Sequence, residues 1–528
     1  MTDLDSRGAL GAPAVQWPTV TPVNDELLSP APDARSGARP GDSSTHGVAP
    51  SRARVKAPVP ATGAWREGDP AGRRRFADVG TFDLESGARL PDVRVAYETW
   101  GTLAPDGSNA VLVLHALTGD SHVSGPAGPG HATAGWWESL VGPGAPIDTD
   151  RWFVVAPNVL GGCQGTTGPA STAPDGRPWG SRFPRVTTRD QVAVEIELAR
   201  TLGITSWAFV VGASMGGHRV LEWALLGPEA GVDVVSLAAI ATAAQTTGDQ
   251  IAWAHPQLGA VRADPGFRGG DYYDAADGDG PHVGLGIARQ IAHATYRSAR
   301  ELDDRFGRLP QGGEDPFTDG RYAVQSYLDH HGDKLARRFD ANSYVVLTES
   351  MLTHDLGRDR GGVEAALAQI TAHALVVAVD TDRLFLPADC ARIAAGIPGA
   401  EPLRTLTSDF GHDGFLIEFD QLGPIVADFL GERRACATDP LVVGAGPGGS
   451  PGRAPWSEHG PDRRLVPCSP PTPTAPIPTT PWPASSSGTA PSPRPASTGP
   501  RSTCAPRRST TTTSGRCAAS GCPPTACP

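Results

Sequence analysis

Gly212-Ala213-Ser214-Met215-Gly216 sets a serine between two glycines. An apolar run, Trp207-Ala208-Phe209-Val210-Val211, comes before it, and a helix-like stretch, Arg219-Val220-Leu221-Glu222-Trp223-Ala224, comes after. Strand, G-x-S-x-G turn and helix in that order make the setting in which a serine hydroxyl becomes a nucleophile. The glycines permit a turn tight enough to strain the serine backbone. The turn lifts Oγ above the carboxyl edge of a parallel sheet, at the N-terminus of a helix. As a bare pattern the pentapeptide is weak, and its strand-to-helix context gives it weight.

Such a serine needs a base, and the base needs an orienting acid. After an elbow of this kind the order along the chain is serine, acid, histidine, each at the end of a later strand. The β-branched run Ala374-Leu375-Val376-Val377-Ala378-Val379 ends in Asp380-Thr381-Asp382, and Leu403-Arg404-Thr405-Leu406 precedes Phe410-Gly411-His412-Asp413-Gly414-Phe415. A strand-end aspartate taken singly is a turn cap, and a loop histidine taken singly faces solvent. Three groups in the required order outweigh those readings. The chemistry is attack of Ser214 on an acyl carbonyl, with His412 taking the proton. The developing oxyanion needs preorganised donors, each worth about 3 kcal/mol of barrier. One is the Met215 N–H. The other belongs to the loop after an earlier strand, where His115-Ala116-Leu117-Thr118-Gly119 lies.

Longer motifs carry a family resemblance. They are His115-Ala116-Leu117-Thr118-Gly119-Asp120, the segment from Asn158 to Pro169, the segment from Gly212 to Ala224, Ala288-Arg289, Thr295-Tyr296-Arg297-Ser298, Arg338-Phe339-Asp340-Ala341-Asn342-Ser343-Tyr344 and Gly411-His412-Asp413-Gly414-Phe415. Together they resemble homoserine O-acetyltransferases, over a span from about Phe76 to about Leu430. The resemblance implies an α/β-hydrolase fold and ping-pong acyl transfer from acetyl-CoA to L-homoserine in methionine biosynthesis. It also implies a cytoplasmic homodimer with acetyl-CoA as co-substrate and no bound cofactor or metal. Position by position it implies Ser214 as nucleophile, Asp382 rather than Asp380 as orienting acid, and His412 as base. The Leu117 N–H would be the second oxyanion donor, and Arg289 and Asp413 the substrate contacts. A guanidinium suits an amino acid's carboxylate, and a carboxylate beside the base suits its ammonium. In Thr381-Asp382-Arg383-Leu384-Phe385-Leu386-Pro387, Leu386 stands where the family pattern has proline.

The residues alone leave alternatives open. Arg289 reads equally as half of a helix-surface ion pair, Tyr296 as a packing aromatic, and Cys163, in a glycine-rich loop, as a packing residue. Succinyl-CoA as donor and serine as acceptor are compatible with the same elbow and triad, and so is an ester hydrolase. A succinyl group would need a further cation near the acyl pocket. Arg219 is of that kind, though it reads as a helix-surface residue. A catalytically idle binding protein acting through a proline-rich tail is the reading most at odds with an intact triad.

The elements that must position these groups are those of an α/β fold with an insertion. Val111 to His115, Trp152 to Pro157, Ala208 to Val211, Val234 to Ala241, Leu375 to Val379 and Leu403 to Leu406 read as buried parallel strands, and Gln191 to Ala199 as a connecting helix. From about Ala243 to Gly362 the pattern turns helical, as a lid over the site would, and Arg289 falls inside it. The domain expectation is a catalytic unit over 76–434, flanked by a disordered N-terminal extension over 1–75 and a low-complexity tail over 435–528. The tail is rich in Pro, Ser and Thr, as in Pro470-Pro471-Thr472-Pro473-Thr474, and lacks apolar periodicity.

Net charge is −12 over 528 residues, which disfavours nucleic-acid and anionic-membrane partners. No stretch reads as a membrane span or signal core. Of the eight cysteines, only Cys163 and Cys390 fall in the catalytic unit, without disulfide or metal-ligand spacing. The glycine-rich segments lack a Walker lysine or dinucleotide context, so a nucleotide site is rejected.

Overall fold

The structure is a computed structural model that describes residues 57–437. One sheet holds β1 (Arg75–Asp83), β2 (Arg89–Trp100), β3 (Ala110–Leu114), β4 (Phe153–Pro157), β5 (Phe209–Ala213), β6 (Ser236–Ile240), β7 (His373–Val379) and β8 (Arg404–Leu406), side by side as β1-β2-β4-β3-β5-β6-β7-β8. From β4 to β8 every neighbouring pair is parallel, while β2 runs antiparallel to β1 and β4. Every residue of β3, β5 and β6 is buried, which is why these strands read as unbroken apolar runs rather than alternating ones.

Alternate side chains feed two layers. Leu112, Val210, Leu237 and Val376 pack with α1 (Thr188–Thr201) and α2 (Met215–Glu229), while Val113, Val211, Ala238 and Val377 pack with α10 (Phe419–Ala437). Helix α1 starts where Thr187 and Asp190 form a capping box that satisfies the first free N–H groups. Between β6 and β7 the chain leaves the sheet to build the lid: α3 (Gly248–Ala263), α4 (His282–Tyr296), α5 (Ala299–Phe306), α6 (Ala323–Arg338) and α7 (Ala341–Leu352). After α8 (Val363–Leu367) the chain re-enters the sheet, with α9 (Pro387–Gly396) between β7 and β8. A third apolar cluster joins Leu258, Leu285, Ala288, Leu335 and Phe339 of the lid to Leu117, Val159, Cys163 and Met215 of the sheet's carboxyl edge.

Three expectations need correction, and two strands were not expected. Residues 57–74 do not belong to a disordered extension: Thr62 Oγ1 donates to Asp340 at 2.7 Å, the Gly63 N–H to the Phe339 carbonyl at 3.1 Å, and the Trp65 N–H to the Cys163 carbonyl at 2.9 Å. A proline- and glycine-rich composition hid these contacts, because single polar groups, the Thr62 hydroxyl and two backbone N–H groups, make them and not an apolar face. Residues 1–56 of the expected extension lie outside the described residues. The catalytic unit does not end at 434, since α10 runs to Ala437; the remainder of the expected tail, 438–528, also lies outside the described residues. Arg219 is no surface residue. It is fully buried, pairs with Glu195 and donates to the His115 carbonyl at 2.6 Å. Strands β1 and β2, which pair with each other, are the unexpected ones; in β1, bulges around Gly80 interrupt the alternation that would mark a strand.

Candidate active site

Ser214 sits between β5 and α2 at φ 57°, ψ −124°, a conformation that costs a non-glycine residue about 1–3 kcal/mol. The surroundings enforce it. The Ser214 N–H donates to the Ile240 carbonyl at 3.0 Å, and its carbonyl accepts from Thr242 Oγ1 at 2.9 Å. The flanking glycines are needed for close approach: a Cβ at Gly216 would lie 2.1 Å from the Leu114 carbonyl oxygen, and one at Gly212 would lie 2.7 Å from the Gly216 backbone.

The two later strand ends bring the partners. His412 Nε2 lies 2.9 Å from Ser214 Oγ, and His412 Nδ1 lies 2.6 Å from Asp382 Oδ2. All three residues are buried. The other Asp382 oxygen accepts the Leu384 and Phe385 N–H groups at 2.8 and 2.9 Å, which fixes the carboxylate's rotation. Asp380 has the capping role instead, accepting the Ser408 N–H at 3.0 Å. Burial pushes the His412 pKa down, but the Asp382 charge and hydrogen bond outweigh it, so the net shift is upward. Leu386, which stands where the family pattern has proline, has a φ of −61°, a value that a proline would also impose.

Two backbone N–H groups are candidates to receive the oxyanion. Met215 opens α2 directly after Ser214, and the Leu117 N–H has no acceptor among the described residues. The loop carrying Leu117 is pinned from three sides. His115 Nε2 accepts the Val159 N–H at 3.0 Å, the His115 carbonyl accepts from Arg219, and the Thr118 carbonyl accepts from Arg338 Nη1 at 2.9 Å. Burial first, then the Arg219 charge, lower His115 to about 3, so its ring is a neutral strut and not a second base.

Two pockets abut the triad through its neighbours, while Ser214 itself is 5% exposed. The first is lined by Arg289, Arg297, Arg338, His331 and Asp413, among others. Its three guanidiniums have different fates. Arg338 is bonded to the Thr118 carbonyl, and Arg297 Nε lies 3.2 Å from Asp413 Oδ2. Arg289 lies over the Tyr296 ring, 5.3 Å from guanidinium carbon to centroid, and pairs with no carboxylate among the described residues. Tyr296 in turn lies 5.7 Å from the His412 ring, centroid to centroid. The second pocket has no charged side chain in its lining, which includes Leu117, Gln250, Trp253, Gln257, Tyr296 and Phe385. The structure thus brings Arg289 and Asp413 to one pocket. It adds Arg297 and Arg338, which the sequence reading held only as letters of longer motifs.

Other reactive groups are otherwise engaged. Cys163 is buried, and burial pushes its thiol up to about 12, so it offers no thiolate. Glu98, His122 and His131 form a buried cluster with ligand-type atoms within 4.8 Å of one another. The two imidazoles are stacked 3.8 Å apart and only 12° from parallel, so one ion cannot lie in both ring planes. His122 Nδ1 bonds Glu98 at 3.0 Å, Nε2 meets the Gly125 carbonyl at 3.1 Å, and His131 Nε2 accepts the Arg73 N–H at 2.9 Å. These contacts tie the three residues into one hydrogen-bonded network around the Glu98 carboxylate.

Comparison with known proteins places this geometry. A family described as α/β hydrolase fold matches residues 109–419. A homoserine O-acetyltransferase of Thermobifida fusca is 61% identical over 376 residues, covering 71% of this chain and 98% of that protein. One from Mycobacterium tuberculosis is 52% identical over 354 residues, covering 67% and 92%. Among solved structures, esterase E22 aligns with a TM-score of 0.62 at 27% identity, over 68% of this chain and 99% of its own. The homoserine O-acetyltransferase of Bacillus anthracis aligns with a TM-score of 0.61 at 25% identity, over 68% and 97%. With the fold, the elbow and the Ser-His-Asp contacts in place, the chain belongs to the homoserine O-acetyltransferase family of α/β-hydrolase-fold proteins.

Proposed function

We propose that the enzyme moves an acetyl group from acetyl-CoA to the hydroxyl of L-homoserine through an acetyl–Ser214 intermediate. Relatives at 52–61% identity that carry the name homoserine O-acetyltransferase support the acceptor and the acyl group. In the first half-reaction Ser214 Oγ attacks the thioester carbonyl as His412 Nε2 takes its proton. Asp382 holds the imidazole tautomer and stabilises the imidazolium. The Leu117 and Met215 N–H groups take the charge of the tetrahedral oxygen. Collapse breaks the C–S bond, and His412 returns its proton to the leaving thiolate. In the second half-reaction the homoserine hydroxyl gives its proton to His412 and attacks the acyl carbon, and collapse restores Ser214.

The acceptor must outrun water, and orientation is what makes that possible, with effective molarities of roughly 10⁵–10⁸ M. The observation that carries the reading is Arg289: of the three arginines lining the pocket beside Asp413, Arg297 is paired with that carboxylate and Arg338 is tied to the Thr118 carbonyl, while Arg289 lies over the Tyr296 ring with neither a carboxylate nor a backbone carbonyl as partner among the described residues. We assign it the acceptor's carboxylate and assign Asp413 the ammonium. Two observations support an acetyl rather than a succinyl donor: the second pocket has no charged side chain in its lining, and Arg219, a cation of the kind a succinyl group would need, is held by Glu195. Initial rates with acetyl- and succinyl-CoA, each against homoserine and serine, test the assignment. Preference for succinyl-CoA or for serine would overturn it.

An ester hydrolase is the second reading, favoured by the similarity to esterase E22. It predicts turnover of simple acetyl esters at a rate indifferent to homoserine. Methionine biosynthesis and the cytoplasm remain the expected setting, by family resemblance; no helix among the described residues is long and apolar enough to cross a membrane. For the homodimer, Ile251, Trp253, Val283 and Ile287 are exposed on α3 and α4, apolar surface of the kind a second copy would cover.

A further inference from the structure

Arg297 is among the largest fully buried side chains, 2% exposed, yet a guanidinium is costly to desolvate without a purpose. It follows Tyr296 at the end of α4, in a segment stapled to the loop that carries the base. Ser298 Oγ donates to the Asp409 carbonyl, and Arg300 Nη1 lies 3.4 Å from Asp409. Gly411, at φ +63°, comes so close that a Cβ there would meet the Tyr296 carbonyl oxygen at 2.5 Å and the Ser298 nitrogen at 2.9 Å. At the centre, Arg297 lies over the Phe410 ring, 5.7 Å from its centroid, and its Nε reaches to 3.2 Å from Asp413 Oδ2.

We propose that Arg297 is a positioning residue for acceptor recognition: from the lid, it holds the Asp413 carboxylate in the pocket beside His412, where the acceptor's ammonium is received. The proposal rests on the role assigned to Asp413 above. Two effects of the cation oppose each other. Its charge weakens the pull of Asp413 on an ammonium, while its place in the staple stops the carboxylate from turning away. Position dominates, because the Asp413 side chain is only 13% exposed and the other two arginines of this pocket are placed elsewhere: Arg338 is tied to the Thr118 carbonyl and Arg289 lies over Tyr296. Arg297 Nε and Nη1 take no hydrogen bond among the described residues, so the pair with Asp413 is charge pairing that can tighten when an acceptor enters.

The test compares Arg297→Met, Arg297→Lys, Asp413→Asn and the double variant Arg297→Met/Asp413→Asn in the full-length enzyme. Arg297→Met is expected to raise the homoserine KM roughly tenfold or more, with a much smaller change in the acyl-enzyme burst from acetyl-CoA alone. Arg297→Lys, which keeps the charge, is expected to recover much of the loss. The double variant is expected to be no worse than Asp413→Asn. Use of γ-hydroxybutyrate, which keeps homoserine's carboxylate and hydroxyl but lacks its ammonium, is expected to respond little to any of the four. If Asp413→Asn leaves the homoserine KM unchanged, the role of Asp413 is wrong. If Asp413→Asn raises it while a folded Arg297→Met does not, or if the two losses simply add, the proposal itself is overturned. Should Arg297→Met fail to fold, Arg297→Lys carries the comparison: a loss equal for homoserine and γ-hydroxybutyrate contradicts the proposal.

Discussion

The sheet's carboxyl edge and the lid contribute to the same site in different ways. At the sheet edge, Ser214, Asp382 and His412 each follow a strand and are held there by hydrogen bonds: Ser214 through its backbone to Ile240 and Thr242, Asp382 by the Leu384 and Phe385 N–H groups, and His412 by Asp382 and Ser214. In the lid, Arg289, Arg297 and Arg338 come from helix α4, the segment after it, and the end of α6, and they converge only when the helices pack. On the proposed reading, the first region defines what reaction is possible, and the second defines which nucleophile, homoserine or water, completes it.

If that division holds, substitutions in the two regions separate kinetically. Ser214→Ala removes the acyl acceptor and should lower turnover by roughly 10⁴–10⁶-fold while leaving the melting temperature nearly unchanged; it would also relieve no backbone strain, since alanine keeps the Cβ. Asp382→Asn should cost about 10⁴-fold by spoiling the tautomer of His412. Arg289→Ala should spare the acetyl-CoA burst and weaken homoserine recognition by about 2–5 kcal/mol, with slow hydrolysis of acetyl-CoA taking the place of transfer. Loss of the burst with a normal homoserine dependence would move Arg289 to the CoA half of the reaction and break the comparison.

Acidity should act through the sheet-edge region. His412 must be neutral to accept a proton, and its pKa is raised above the ordinary imidazole value of 6.5, so activity should already decline at a pH where an unperturbed histidine would still be neutral. Removing the Asp382 charge should shift that decline toward lower pH, which a pH–rate profile of residual Asp382→Asn activity checks. The smallest effect is expected at the far end of the chain. Ending it after Ala437 should leave melting and turnover within experimental error, since residues 438–528 show no apolar periodicity.

The same division explains what could be read from the sequence. The triad was legible because its signals are local: a G-x-S-x-G between strand and helix, an aspartate after β7, and a Gly-His after β8. The choice of Asp382 over Asp380 was not local. Both end the same strand, and only the packed loops assign one to His412 and the other to Ser408. Arg219 was misread because a lone arginine on a helix gives no sign of Glu195, which sits on the neighbouring helix and meets it only after packing. Residues 57–74 were misread for a related reason, since their partners, Phe339, Asp340 and Cys163, are distant in sequence. The Glu98–His122–His131 cluster has no recognisable spacing either, as it joins β2 to the loop that follows β3.

The central claim is that Ser214 carries the acyl group between donor and acceptor. Peptide mass spectrometry of enzyme quenched after mixing with acetyl-CoA alone measures it directly. The account predicts an acetyl adduct on the peptide containing Ser214, which disappears when homoserine is added as O-acetylhomoserine forms in equal amount. An adduct on Cys163, or product formation with no adduct able to discharge to homoserine, would contradict it.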